Sequence, residues 1–225
     1  DGAVKADTQT YIETPALEAR VAAGNLPPIA DRLPTVPRVI AMDGKKRVVG
    51  HHGGRWRMLV HRSKDVKIFS IYGYARLVTY NEALDLVPDI LADVIAEDER
   101  LYTLKLREGH KWSDGHPFTS EDFRYYWEDV ANNDELSPAG PPGSLRVNNE
   151  LPVVEIIDET TVRYSWSQPN PTFLPSLAGA APLSIYRPAH YLKQFHDGYK
   201  GKKKTISALT NRLMRNWAAE HNNKD

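Results

Sequence analysis

The sequence of 225 residues contains no cysteine. This absence excludes disulfide bonds, thiolate metal ligands and a cysteine nucleophile, but it is compatible with any compartment. No apolar run approaches the roughly 20 residues that a membrane-spanning helix requires. Because the n-region and h-region of a signal peptide are missing as well, we expect a cytosolic chain or an exported chain that has already been processed.

An excess of charge of either sign is also missing, since Lys plus Arg and Asp plus Glu number 29 each. The balance removes the electrostatic argument for binding nucleic acid, and we expect no such partner. The basic cluster at Lys200 and 202–204 is typical of a solvated loop. With 41% hydrophobic and 26% charged residues, the composition is that of an ordinary globular protein.

Residues 1–50 are predicted to form an N-terminal extension rather than a core-forming unit. Within it, "TPALEARVAAG" predicts one short helix, with Thr14 as N-cap, Pro15 at the first helical position and Gly24 after the end. The four prolines that follow favour an extended chain lying along a surface; they are Pro27, Pro28, Pro34 and Pro37.

The globular pattern starts after the "HHGG" loop at 51–54. "RWRMLV" is a candidate for a short strand. "DVKIFSIYGYARLV" predicts a helix that Asp65 caps, because apolar residues recur at helical spacing: Ile68, Ile71, Tyr72 and Ala75.

Strict alternation indicates strands further along the chain. Tyr102, Leu104 and Leu106 share one face of a strand at 101–107. Residues 153–166 predict a β-hairpin around the polar turn "DET". Its second arm places three apolar residues on one face: Val162, Tyr164 and Trp166.

Helical segments and a loop complete the pattern. "PNPTFLPSLAG" breaks the hairpin and begins a helical turn, and "TISALTNRLMRNW" is again helical. "SPAGPPGS" at 137–144 predicts a loop. Helices and antiparallel strands are interleaved, so the predicted class is mixed α/β, or α+β.

The stretch "YTLKLREGHKWSDGHPFTSEDFRYYWEDV" at 102–130 contains the candidate catalytic or metal-binding side chains of the chain. These groups could be metal ligands or acid/base residues, or polar groups on a strand, a turn and a helix; they are His110, Asp114, His116, Glu121 and Asp122. The spacing of these groups distinguishes the two alternatives.

A capped amphipathic helix explains the carboxylates. Thr119 followed by Asp122 fits an N-cap with an acidic residue at the third helical position, and Phe118 and Phe123 fit a hydrophobic staple. Glu121 and Asp122 also favour the positive end of the helix dipole. One apolar stripe follows at i, i+3, i+4 and i+7: Phe123, Tyr126, Trp127 and Val130.

A tight turn explains the remaining groups. Asp114 is expected to bond backbone amides, and Gly115 supplies a positive φ. His110 and His116 lie six positions apart across this turn, which is not a metal-ligand spacing, and no HExxH pattern is present. We expect the histidines to be surface or loop groups and predict no metal site and no cofactor.

The order of residues in this stretch resembles the signature of the family 5 extracellular solute-binding proteins, the binding components of bacterial ABC importers. The matching residues are Leu106, Arg107, Gly109, Trp112, Asp114, Gly115, Pro117, Phe118, Thr119 and Asp122. Three more stretches agree in order: "LVTYNEALDLVPDILADVIAEDER", "VVEIIDETTVRYSWSQPNPTFLPSLA" and "APLSIYRPAHYL". The resemblance covers roughly residues 55 to 195.

The resemblance implies a lobe of the type II periplasmic binding protein class, with a mixed sheet, flanking helices and a small hairpin-containing subdomain. Residues 51–225 would form most of the first lobe, with about 78–170 as the inserted subdomain. The second lobe would be absent, and the chain a fragment. The implied partners are a peptide-like or other small polar solute, the membrane permease components and the missing second lobe, in the periplasm and without catalysis.

The resemblance also indicates where the solute would be contacted. The candidates are Ser63, Lys64, Asp65 and Val66, where Lys64 could meet a carboxylate and Asp65 an ammonium group. The alternative is that Asp65 only caps a helix and Lys64 is solvated. A second loop with Ser137 and Ala139 is expected at the cleft edge. Four aromatic residues are expected in the core rather than in a stacking platform: Tyr126, Trp127, Tyr164 and Trp166.

Two other functions compete with solute binding. A hydrolase using histidine and carboxylate groups would need a pattern such as GxSxG, Walker A or HExxH, and none is present. A scaffold lobe that contacts a partner without capturing a solute stays open. The sequence does not name the solute.

Overall fold

A computed structural model describes residues 11–55, 57–69, 74–199 and 217–225. The helices are α1 Pro15–Ala22, α2 Ile29–Arg32, α3 Ser120–Arg124, α4 Phe173–Ala178, α5 Ala189–Leu192 and α6 Trp217–Asn222. The strands are β1 Val78–Tyr80, β2 Leu86–Pro88, β3 Leu91–Glu97, β4 Leu101–Leu106, β5 Val153–Asp158 and β6 Thr161–Ser165. The described part of the chain also has a π-helical segment, Tyr125–Ala131, and three 3₁₀ segments: Ser63–Ile68, Gly143–Leu145 and Lys193–Phe195.

The main sheet is antiparallel, with four strands in the order β3-β4-β6-β5. Its register pairs Tyr102 with Tyr164 and Leu104 with Val162, so the predicted apolar faces of β4 and β6 coincide. The strand at 101–107 and the hairpin at 153–166 are therefore confirmed. The opposite face of β4 is less exposed than the alternation predicts, because Thr103 is buried. β1 and β2 form a separate antiparallel pair.

Aromatic rings fill the space between the sheet and α4. The Phe173 ring centroid lies 5.1 Å from that of Tyr102, 5.2 Å from that of Tyr164 and 5.1 Å from that of Trp166. Tyr126 is buried as well, and Trp127 is half-buried at the edge of the core. The four aromatic residues expected in the core thus pack there or against it, which is where their large apolar surface contributes most to stability.

Helix α3 begins as predicted. The Thr119 Oγ1 accepts a hydrogen bond of 3.3 Å from the Glu121 N–H, and the Asp122 carboxylate accepts one of 3.1 Å from the Thr119 N–H. The rings of Phe118 and Phe123 lie 5.7 Å apart, as a hydrophobic staple requires. The continuation over Tyr125–Ala131 is π-helical, a widening that the 3.6-residue pattern did not indicate.

The N-terminal segment has the predicted helix, α1, and also the short helix α2 within the proline stretch that was expected to be extended throughout. α1 begins at Pro15, and Gly24 follows it with a φ of +70°. Thr14 is the N-cap residue of α1, as predicted, although its side chain makes no capping hydrogen bond. The Thr35 N–H donates to the Glu108 carbonyl at 2.9 Å, so the extended chain after α2 lies along the end of β4.

Two element predictions were wrong over part of their length. Residues 57–60 of "RWRMLV" have irregular backbone rather than a strand. The helix predicted over 65–78 is contradicted at both ends and is helical at Phe69. Ser63–Ile68 is a 3₁₀ segment, and non-helical residues at 74–77 lead into β1, whose Val78 and Thr79 are β-branched and pair with β2. Residues 70–73 lie outside the described part of the chain.

The C-terminal prediction is tested only at its end. The basic cluster and nearly all of "TISALTNRLMRNW" lie outside the described residues, and Trp217 begins α6.

The predicted loop at 137–144 is confirmed, and its turns lead into the 3₁₀ segment Gly143–Leu145. Among the described helices, none combines the length and the apolar character that crossing a membrane demands.

Candidate functional site

The predicted solute contacts at 63–66 open the 3₁₀ segment Ser63–Ile68. The Asp65 Oδ2 accepts a hydrogen bond of 2.9 Å from the Arg62 N–H, and the Asp65 N–H donates to the Arg62 carbonyl at 2.9 Å. Asp65 thus closes the first turn of the 3₁₀ segment from within it, whereas the capping alternative placed Asp65 at the start of a helix. Ser63 and Val66 are exposed. The Lys64 side chain lies outside the described part of the structure.

The second predicted group lies on a loop of consecutive turns. The Ser137 N–H donates to the Asn133 carbonyl at 2.7 Å, and the Gly140 N–H donates to the Ser137 carbonyl at 2.8 Å. Ser137 is half-buried and Ala139 is exposed. In the described part of the chain, no hydrogen bond or ion pair joins this loop to the segment at 63–66.

The signature stretch is organised around the carboxylate of Asp122, a residue that is 3% exposed. Its Oδ2 accepts from the Trp112 indole N–H at 3.0 Å and from the Thr119 N–H at 3.1 Å, and its Oδ1 accepts from the Ala189 N–H at 2.9 Å. Burial raises the pKa of Asp122 above its ordinary value, and these three hydrogen bonds oppose the rise.

Asp122 therefore caps two helices at once. It completes the capping box of α3, and it accepts from the first residue of α5, whose own N-cap Pro188 makes no side-chain capping bond. The first N–H groups of a helix have no intrahelical acceptor, so a carboxylate placed there satisfies them. The carboxylate joins segments 67 positions apart in the sequence.

The neighbouring histidines form a stacked pair. The rings of His116 and His190 lie 4.0 Å apart at 13°, and the His190 Nε2 lies 2.7 Å from the Asp114 Oδ2. The Asp114 Oδ1 accepts from the His116 N–H at 3.0 Å. The His116 backbone bond and then His190 lower the pKa of Asp114. Asp114 thus makes the predicted turn and also contacts α5.

His110 has a different environment from His116. It is half-buried and meets the Phe118 ring edge-on at 5.7 Å, whereas His116 is exposed. Burial, and then Arg107, lower the pKa of His110. Within the described ranges, no group of three or more His, Asp or Glu side chains has the arrangement to hold a metal ion.

Glu121 and Arg124 form the centre of a charged network on the outer side of α3. Arg124 contacts Glu121 at 2.7 Å and Asp129 at 3.0 Å, and the Lys193 Nζ lies 2.5 Å from the Glu121 Oε1. Hydrogen bonds from Arg124 and then from Lys193 lower the pKa of Glu121 to about 2. The network ties α3 to the 3₁₀ segment after α5.

A cavity of about 270 Å³ lies between the N-terminal segment and the signature turn. Leu26, Pro27 and Arg32 form one wall, and Trp112 and Asp114 form part of the other. Its polar groups are used internally: the Arg32 Nε donates to the Pro27 carbonyl at 2.9 Å, and the Asp114 carboxylate holds the turn.

The titratable side chains of the signature stretch, which were candidates for catalysis or metal binding, stabilise the fold instead. The carboxylates of the signature stretch cap helices, close a turn or pair with cations. The local sequence pattern indicates the bonds that Asp122 and Asp114 make nearby, but not their long-range partners Ala189 and His190. Nor does it indicate Lys193 as a partner of Glu121. The sequence "RPAHYL" indicates part of this arrangement. A proline at the N-cap position has no side-chain oxygen that could accept a hydrogen bond from the first helical N–H groups, so another residue must accept it.

Comparison with known proteins decides the family. Residues 85–210, more than half of the chain, match the family model described as bacterial extracellular solute-binding proteins, family 5 middle. The chain belongs to family 5 of the extracellular solute-binding proteins. The predicted resemblance is thereby confirmed.

Two relatives match 82% and 44% of the chain. The periplasmic alpha-galactoside-binding protein of Rhizobium meliloti is 28% identical over 215 residues, which cover 82% of this chain and 29% of the relative. The periplasmic murein peptide-binding protein MppA of Escherichia coli is 29% identical over 44% of this chain and 20% of its own length.

Solved family 5 structures agree with the fold. The oligopeptide-binding protein OppA superposes with a TM-score of 0.78 and 31% identity over 96% of this chain and 33% of its own. The periplasmic binding protein MelB of Agrobacterium fabrum C58, in complex with stachyose, gives a TM-score of 0.59 and 26% identity over 82% of this chain and 30% of its own. The mixed α/β class is confirmed, and the chain spans about a third of these relatives' length or less.

Proposed function

We propose that this chain supplies most of the first lobe of the solute-binding component of an ABC importer, which acts in the periplasm without catalysis. The observation that carries the proposal is the superposition with OppA over 96% of the chain. In this proposal residues 1–50 are an extension, 51–225 belong to the lobe, and about 78–170 form its subdomain. A second lobe completes the cleft, and the permease of the importer receives the solute.

The proposed solute is peptide-like. OppA is an oligopeptide-binding protein and MppA a murein peptide-binding protein, and both align with this chain. A second candidate is an oligosaccharide, which is favoured by two relatives that each match 82% of the chain: the alpha-galactoside-binding protein and the MelB complex with stachyose. A peptide carries terminal charges and an oligosaccharide carries none, so the two candidates need different contacts.

The proposed contacts from this lobe are Ser63, Lys64, Asp65 and Val66, with Ser137 and Ala139 at the cleft edge. Lys64 would pair with a carboxylate and Asp65 with an ammonium group, as a zwitterionic peptide requires. Support comes from the exposure of Ser63 and Val66 and from the backbone bond at Asp65, which fixes the orientation of its carboxylate.

A lobe by itself should bind its solute weakly. Proteins that close by hinge motion bury most of a small ligand between their lobes. One lobe alone lacks the ligand contacts that the other lobe would make. Each interaction of about 1.4 kcal/mol that is lost lowers affinity roughly tenfold. The isolated 225-residue chain is therefore expected to show weak or undetectable binding, whereas a polypeptide with both lobes binds.

Isothermal titration calorimetry with a tripeptide and with stachyose tests the proposal on the longest natural polypeptide that contains this chain. A saturable heat of binding with the tripeptide alone supports the peptide-like solute. A saturable heat of binding with stachyose alone supports the oligosaccharide instead. If neither solute binds and a stable protein partner co-purifies, the chain is a scaffold lobe. Turnover of a hydrolysable peptide would instead support a hydrolase.

A further inference from the structure

A cluster of buried rings lies between α6 and the π-helical segment Tyr125–Ala131. Tyr125 and His221 are fully buried, and His196 is 6% exposed. The ring centroids of His196 and His221 lie 5.9 Å apart, and the Tyr125 centroid lies 6.0 and 6.2 Å from them, respectively. The Trp217 ring, at the start of α6, packs 4.8 Å from the His196 ring. Two imidazoles therefore share an interior in which a charged group is costly.

His196 makes hydrogen bonds that fit an uncharged imidazole. Its Nδ1 accepts from the Gly198 N–H at 3.1 Å, and its Nε2 lies 3.1 Å from the Asp129 carbonyl, to which it donates. One ring nitrogen is thus an acceptor and the other a donor, as in the neutral ring. A second ring proton on Nδ1 would face the Gly198 N–H. Both nitrogens of His196 are therefore already used by backbone groups.

His221 bonds to the π-helical segment through one ring nitrogen. Its Nε2 lies 2.7 Å from the Tyr125 hydroxyl. Its Nδ1 is buried, and no hydrogen-bond partner reaches it within the described part of the chain. A neutral ring can leave Nδ1 without a proton, whereas a charged ring carries an N–H there that would stay buried and unpaired. The docked position of α6 therefore disfavours a second proton on His221.

The charged groups around His221 do not remove this cost. Burial, and then His196, lower the pKa of His221. Asp225 and Asn222 oppose this with smaller effects, and Arg187 adds to it. Arg187, which precedes α5, also pairs with Asp225 and so offsets the charge that Asp225 presents to the imidazole. The other titratable groups around the cluster are Asp129, Lys193, Tyr199, Lys224 and, within α6, Glu220.

α6 is a short element of six residues. Beyond the ring cluster, Ala218 is buried, and the Asn222 Nδ2 donates to the Leu136 carbonyl at 3.3 Å. A short element opens at a lower free energy than the strands of the main sheet, whose opening requires the core to unfold. His221 is the most deeply buried residue of α6, so its protonation state has a large effect on whether the helix stays docked.

We propose that α6 is a pH-sensitive switch, which stays docked while His221 is neutral and leaves the π-helical segment when His221 takes up a second ring proton. The released imidazole meets water, in which both ring N–H groups find acceptors. An unperturbed imidazole binds this proton near pH 6.5, so acidification below that value favours the released form. The contacts that bury His221 lie within this chain, and a longer polypeptide retains them. The switch is independent of the proposed function, and its test uses no solute.

Hydrogen exchange followed by mass spectrometry tests this switch on the 225-residue chain and on the longest natural polypeptide that contains it. The protection factor of the peptide 217–225 should fall about tenfold for each pH unit below 6.5, because opening takes up one proton. It should lie at least about tenfold below that of β4 and β6 at each pH. Low concentrations of urea should leave it unchanged, because a local opening exposes little surface.

Three histidine variants identify the titrating group. His221→Gln keeps a side chain that can bond to Tyr125 but cannot titrate, so its protection factor at 217–225 should not depend on pH. His190→Gln is the matched control, since that imidazole lies beside Asp114 outside the cluster, and it should retain the tenfold slope. His196→Gln should retain the slope as well, because the proposal assigns the proton to His221.

Tyr125→Phe provides a test that keeps both buried imidazoles. It removes the hydroxyl partner of the His221 Nε2, so protection at 217–225 should fall at every pH while the slope persists. A wild-type protection factor that does not change with pH, or a slope that His221→Gln retains or His196→Gln abolishes, would overturn the proposal. Exchange at 217–225 that matches β4 and β6 in level and urea sensitivity, or a slope missing from the longer polypeptide, would overturn it too.

Discussion

The Asp122 Oδ1 accepts a hydrogen bond of 2.9 Å from the Ala189 N–H, 67 positions further along the chain. The same carboxylate accepts from the Trp112 indole and from the Thr119 N–H. One acidic side chain therefore holds the signature turn, the start of α3 and the start of α5 together. This explains its place in the signature stretch by architecture rather than by contact with a solute.

Replacing Asp122 with asparagine should lower the free energy of unfolding by about 1–3 kcal/mol, because an amide presents a donor to at least one buried N–H. Urea unfolding followed by circular dichroism measures the change. Asp134→Ala is the matched control, since Asp134 is exposed, and it should stay within about 0.5 kcal/mol of the wild type. A loss for Asp122→Asn no larger than that of the control would contradict the assignment.

Glu121 should make stability depend on pH in the acidic range. Its pKa falls from 4.5 to about 2 in the folded protein through Arg124 and Lys193. A depressed carboxyl pKa contributes stability that is present above pH 4.5 and lost as pH falls toward 2. Chemical unfolding from pH 6 downward should show Glu121→Gln less stable than the wild type at the upper end, with the two curves converging on acidification. A constant difference would refute this role for Glu121.

His221 should contribute a second pH dependence, nearer neutrality. It is fully buried, and its Nε2 lies 2.7 Å from the Tyr125 hydroxyl. Burial, and then His196, lower the pKa of His221 below 6.5, so the unfolded chain takes up a proton first as pH falls. The stability is therefore present above pH 6.5 and declines below it.

His221→Gln should flatten that decline, and His51→Gln, at an exposed position, should leave it unchanged. Unfolding free energies measured across neutral and mildly acidic pH compare the three proteins. If His221→Gln and His51→Gln follow the wild-type curve equally, the buried imidazole is not the titrating group.

Gly109 should control how the N-terminal segment attaches. It has a φ of +72°, and a Cβ there would lie 2.8 Å from the Thr35 Oγ1 and 3.3 Å from the Thr35 backbone nitrogen. Gly109→Ala should destabilise the protein by about 1–3 kcal/mol and speed hydrogen exchange at the Thr35 N–H. Gly115→Ala shares the positive φ but has nothing within 4 Å, so it serves as the control for backbone strain alone. Unchanged exchange at Thr35 in Gly109→Ala would contradict the close approach.

Local patterns predicted the local structure well. The alternation of Tyr102, Leu104 and Leu106 is set by one buried face, and the capping box of Thr119 and Asp122 closes within three residues. Both could be read from the sequence because the partners are adjacent in it. The helix predicted over 65–78 fails at 74–78 because the spacing of Ile68 and Ala75 indicates an apolar face but does not say what would cover it, whereas β1 finds a partner in β2.

Long-range contacts could not be predicted in the same way. Nothing near Asp122 indicates that its second oxygen accepts from Ala189, and nothing near Glu121 names Lys193. These pairings depend on how the sheet returns the chain to α3. The solute contacts at Ser63, Asp65 and Ser137 remain predictions, because they depend on a cleft that two lobes form together.

Calorimetric titration with a tripeptide, performed side by side on the 225-residue chain and on the longest natural polypeptide that contains it, tests the central proposal most directly. The account predicts saturable binding by the longer polypeptide, a marked loss in its Lys64→Ala and Asp65→Ala variants, and weak or undetectable binding by the 225-residue chain. Sub-micromolar binding by the 225-residue chain alone would contradict the two-lobe account.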